Sequence, residues 1–161
     1  MHHHRLGRAA ARLSIRGFTL IELLSVIATL GVLAGLGTPK MLMAVNRAKV
    51  VRAIMDIKAI QADLDAMEAT NQPLPNALSE IGRGSVMDPW GRPYEYMKYP
   101  PGPGLPNGAR RDKLFKPVNS AYDLYSVGPD GQTHILLNKA ESLDDVVRAL
   151  DGGYIGVASR F

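Results

Sequence analysis

Glu22 is the only ionisable side chain in residues 18–37, FTLIELLSVIATLGVLAGLG. A carboxylate inside such an apolar segment costs roughly 2.5–3.5 kcal/mol on membrane-insertion scales, so it persists only where a partner neutralises it. The chemistry this predicts is an ion pair rather than a reaction. His134 is the sole histidine beyond residues 2–4, and Ser25, Ser126 and Ser142 carry no nucleophile motif. The chain has no cysteine, which removes disulfides, thiol catalysis and zinc-thiolate sites. Phosphate-binding loops, metalloprotease helices and dinucleotide fingerprints are missing as well. No enzymatic activity is expected.

The element that holds Glu22 is long enough to matter. Twenty residues at 1.5 Å each span about 30 Å, the thickness of a bilayer core, so 18–37 is predicted to cross a membrane once. Arg5, Arg8, Arg12 and Arg16 precede it, which keeps the amino terminus in the cytoplasm and exports the rest, although Lys40, Arg47, Lys49 and Arg52 dilute the asymmetry. These four leading arginines equal the net charge of +4, so a chain cut after Gly17 is close to neutral. Nucleic acid is therefore not an expected partner. His2, His3 and His4 are set aside from the fold argument as a cloning remnant or native sequence. Two other readings of the segment stand beside this one. It is a signal-peptide core cut near residues 32–34, or a plain anchor in which Glu22 is accidental.

The residues Arg16, Gly17, Phe18, Thr19, Leu20, Ile21 and Glu22 resemble the type IV prepilin motif. That resemblance implies a dedicated prepilin peptidase that cuts between Gly17 and Phe18 and methylates the new terminus. Cleavage would create an ammonium group one helical turn from Glu22, and in a filament a neighbour's ammonium could reach the same carboxylate. At 4 Å and an effective dielectric near 20, such a pair is worth about 4 kcal/mol before desolvation, comparable with the insertion cost. Glu22 is thus expected to set filament register. Proline soon after the apolar run is common in the family, and Pro39 is expected to kink the helix by removing a backbone hydrogen bond.

From residue 41 the pattern turns amphipathic, with Val50, Ile54, Ile57, Ile60, Leu64 and Met67 at steps of three and four. One helix is predicted from about 18 to 70, ended by Asn71, Gln72 and Pro73. Basic residues lead this stem and Asp56, Asp63, Asp65 and Glu68 follow, so staggered neighbours could pair, as could local partners such as Arg52 and Asp56. Beyond Pro73, aromatic and β-branched runs between turns predict a small antiparallel sheet, and the fold class is α+β. Candidate strands are 93–99 and 121–127, and 151–158 reads as a glycine turn and a last strand. The basic, proline-rich stretch 100–119 reads as an exposed loop.

The segments Asp88-Pro-Trp-Gly-Arg-Pro-Tyr94 and Tyr122-Asp-Leu-Tyr-Ser-Val-Gly-Pro-Asp-Gly131 resemble the head motifs of the major pseudopilin, the G-type subunit of type II secretion. The resemblance implies a type IV pilin-like fold, with leader 1–17, membrane segment 18–37, stem 38–72 and head 73–161. It implies self-assembly into a helical filament, with the prepilin peptidase, an inner-membrane assembly platform and minor pseudopilins as partners and the head in the periplasm. It also implies calcium, held by Asp130 with Asp144 and Asp145. Hard carboxylate oxygens suit that ion, although the long separation of Asp130 from the pair departs from the pattern. Residues 146–150 alternatively read as a short helix capped by Ser142 or Asp144. The rival functions are a surface type IV pilin, and a membrane-anchored or secreted calcium-binding module that does not polymerise.

Overall fold

The computed structural model describes residues 17–102 and 104–161, without the side chains of 36–39. The chain divides into two units, 1–42 and 43–161. Helix α1, Leu20–Ala69, contributes to both. Its described residues 20–48 are all exposed, from Leu20 at 81% to Val45 at 45%. The bend expected at Pro39 falls on the residues whose side chains lie outside the description, and the backbone is helical through that position. Asn71 ends the helix in a left-handed conformation, φ 56°, with its N–H donating to the Glu68 carbonyl. Pro73 then prevents continuation.

The second unit is built on the amphipathic half of α1. Ala53, Ile57, Ile60 and Leu64 are buried against Leu78, Tyr94, Tyr122, Leu124 and Val146. Each fully covered Ile or Leu contributes roughly 1.5–3 kcal/mol, so this stripe is the main attachment of helix to head. The sheet is antiparallel in the order β1 (Glu95–Lys98), β2 (Tyr122–Ser126), β3 (Val146–Ala149) and β4 (Tyr154–Val157). Side chains alternate across it. Tyr122, Leu124 and Val146 face α1, while Val147 and Ala149 face a second cluster with Val118, Leu137 and Ala158.

Two expectations are corrected. Residues 146–150 do not form a capped helix, because 146–149 make an interior strand buried at every position between β2 and β4. A strand covered on both faces reads as a short unbroken apolar run, which periodicity cannot separate from a helix. The stretch 100–119 is not wholly a solvated loop. Its second half folds back as a tight turn at 112–115 and docks on residues 135–137 through Arg111, covering the sheet face opposite α1.

Candidate functional site

At the amino end of α1, Thr19 and Glu22 bond reciprocally. The Thr19 N–H and hydroxyl both donate to Glu22 Oε2 at 2.9 Å, and the Glu22 N–H donates to Thr19 Oγ1 at 3.2 Å. This is a capping box, which satisfies two donors that a helix start otherwise leaves open. It was readable as Thr-x-x-Glu before an apolar run. Glu22 therefore has a local partner in the single chain. Gly17 and Phe18, either side of the expected cleavage point, are exposed, Phe18 at 84%. Arg16 and the rest of the expected leader lie outside the described residues. Helix α1 is long and apolar enough to cross a membrane.

In the head, the two motifs fasten to each other. Asp88 Oδ1 accepts from the Trp90 and Arg92 N–H groups, closing the Asp-Pro-Trp-Gly turn, and Oδ2 accepts from the Ser126 hydroxyl. Arg92 Nη1 donates to the Gly128 carbonyl at 2.8 Å. Gly128 has φ 67°, and a Cβ there would lie 2.6 Å from the Asp144 carbonyl oxygen, so this turn must be glycine to lie against 144. Stem and head are also linked by polar contacts. Tyr94 donates to Asp56 at 2.9 Å, Arg83 pairs with Asp63 at 2.7 Å, and Arg148 Nε donates to Gln61 Oε1 at 3.0 Å.

The three aspartates expected to hold calcium are only partly brought together. Asp130 is exposed, its N–H donates to Asp144 Oδ2 at 3.2 Å, and its Oδ1 accepts from the Gln132 N–H. Asp145 is fully buried and turned elsewhere, with Oδ2 accepting from the Thr133 hydroxyl at 2.6 Å and from Arg110 Nη2 at 2.8 Å. Asp144 Oδ1 and Asp145 Oδ1 are buried without hydrogen-bond partners. Burial pushes the Asp145 carboxyl up to about 6, against the opposing pull of Thr133 and Arg110. Among the described residues, no three His, Cys, Asp or Glu side chains gather closely enough to hold a metal ion. As arranged, Asp145 is engaged by Arg110 and Thr133, so these three side chains do not by themselves supply the roughly six to eight oxygens that calcium takes.

Arg110 is the residue that sequence reasoning missed. It lies in the basic stretch 100–119 expected to be an exposed loop, yet it is 3% exposed. Its guanidinium lies 3.7 Å from the centre of the Tyr125 ring and donates to Asp145, to the Thr133 hydroxyl and to the His134 carbonyl. Its own N–H donates to the buried Asp123 at 2.7 Å. His134 sits in the same network, its Nδ1 accepting from the Leu136 N–H.

Comparison with known proteins returns relatives of one kind. A type II secretion system core protein G of Pseudomonas aeruginosa is 35% identical over 137 residues, covering 72% of this chain and 84% of that one. Proteins of the same name are 34% identical in Dickeya chrysanthemi, over 72% of this chain and 78% of the relative, and 33% identical in Escherichia coli K12, over 73% and 83%. No family model and no solved structure matches the chain.

Proposed function

Since the chain belongs to the type II secretion system core protein G family, we propose that it is the structural subunit of a secretion pseudopilus and has no catalytic task of its own. The observation that carries the reading is the exposed apolar run made by Phe18 and the first half of α1. Phe18, Leu20, Ile21, Leu23, Leu24, Ile27, Leu30, Val32 and Leu33 are each about half to four-fifths exposed, a surface that water does not tolerate. A bilayer covers it before assembly and sister helices cover it afterwards. Identical copies meeting through a non-closing contact extend as a filament.

The finer steps belong to the same proposal. Prepilin peptidase cuts between Gly17 and Phe18 and methylates Phe18, the 18–37 segment holds the subunit in the inner membrane, and the head lies in the periplasm. An assembly platform extracts subunits into a filament that minor pseudopilins complete. Glu22 caps its own helix in the lone chain and takes a neighbour's amino terminus in the filament. The capping box supports this order, because it gives the carboxylate local donors while no neighbour is present.

The test is the intact mass and amino-terminal sequence of the membrane-extracted protein, made with and without a prepilin peptidase. A peptidase-dependent start at methylated Phe18 is expected. A start near Gly35, or an uncut chain in both samples, overturns the reading.

A further inference from the structure

We propose that the Arg110 guanidinium is a built-in cation that takes the place of calcium in this head, so that the fold around 128–145 closes without metal. The inference leans on the family resemblance for the expectation of calcium and on this chain's own residues for the departure. Asp145, the carboxylate that would be deepest in such a site, is already paired at 2.8 Å with a side chain that is itself 3% exposed. The same guanidinium donates to Thr133 and the His134 carbonyl, on the segment that separates Asp130 from Asp144. One planar cation thereby does what a spherical ion does, drawing carboxylate, hydroxyl and carbonyl oxygens around a positive centre. Tyr125 closes the remaining side of the guanidinium. A dication beside a buried guanidinium would be repelled by it, and Asp145 has only one oxygen left, Oδ1.

Removing Arg110 reverses the situation. Asp145 then loses its counter-charge, while Oδ1 of Asp144 and Oδ1 of Asp145 still lack partners. Negative charge without a cation is the condition under which calcium binds, so the variant should acquire the metal dependence that the natural chain lacks.

The experiment is thermal unfolding of the full chain in detergent micelles, followed by the fluorescence of Trp90, the sole tryptophan, with calcium at about 1 mM or with a chelator. The natural chain is expected to melt at the same temperature in both. Arg110→Gln is expected to melt lower in chelator and to regain several degrees with calcium. A natural chain stabilised by calcium overturns the proposal, and so does an Arg110→Gln variant indifferent to it. If that variant folds in neither condition, calorimetric titration of the natural chain with calcium decides, since no heat of binding is expected and a saturable heat overturns the idea. The readout is head stability alone, so failure here leaves the filament reading standing.

Discussion

Two buried arginines stand over two tyrosines of the same strand, one on each face of the sheet. Arg110 covers Tyr125 on the face away from α1, and Arg148 lies 4.0 Å from the Tyr122 ring centre on the face toward it. Arg148 also donates to Gln61 and to Asn119, so it pins sheet, stem and the 119 turn together. Truncating it to Met keeps the aliphatic stem but takes one donor each from the part-buried Gln61 Oε1 and the buried Asn119 Oδ1, and Asn119 Oδ1 keeps the Asp151 N–H. Arg148→Met should therefore cost about 2–3 kcal/mol in denaturant unfolding followed by Trp90 fluorescence. Arg52, 69% exposed and 3.7 Å from Asp56, is the contrasting case. Arg52→Ala should cost no more than about 0.5 kcal/mol in the same assay. Tyr94→Phe removes a hydroxyl that links β-sheet side to stem through Asp56, and a loss of about 1–2 kcal/mol is expected.

At the scale of elements, β2 and the residues in and on either side of β1 concentrate tyrosines in the core. Tyr94, Tyr99 and Tyr122 are buried, and burial raises each phenol well above its ordinary value. Tyr96 is pushed up to about 12 for the same reason. A group whose folded value lies above its unfolded value of about 10 contributes stability that is intact below pH 10 and falls as pH rises beyond it. Each such tyrosine should cost up to about 1.4 kcal/mol per pH unit above 10, and alkaline titration monitored by tyrosine absorbance should show release of these phenols together with unfolding. The strands at 95–98, 122–126 and 154–157 were legible because turn residues bracket runs of aromatic and β-branched side chains. β3 was harder to read. Val146, Val147 and Ala149 are apolar on both faces and Arg148 breaks the run, so neither a period of two nor one of 3.6 dominates. The placement of Arg110 was hidden for a related reason. Four basic residues within seven positions look like a solvated cluster, and only the fold shows that one of them turns inward while Lys113 and Lys116 stay exposed.

The whole molecule has two apolar surfaces with different fates. One, on the stem from Ala53 to Leu64, is satisfied by the head within the same chain. The other, from Phe18 onward, is left open. Glu22→Ala should leave the first untouched and disturb the second. The purified variant should show the same head unfolding midpoint as the natural chain, while filaments counted by electron microscopy after co-expression with a secretion machine should be largely lost. Equal filament yield would point instead to a subunit whose register is set without that carboxylate. The helix and its open half were readable from the apolar run alone. The capping box was readable too, but the anomaly of a charge within an apolar run drew attention to distant partners ahead of the threonine three residues away. The order of the chain adds a matter of time. Gln61 meets Arg148 across 87 residues, and β3 and β4 lie near the end of the sequence. At about 5–20 residues per second of synthesis, the ribosome needs roughly 4 to 17 s to deliver that partner after the stem has been made. Until then Ile57, Ile60 and Leu64 have Leu78, Tyr94, Tyr122 and Leu124 to lie against but lack Val146, so the stem of a newborn subunit is incompletely covered until β3 arrives.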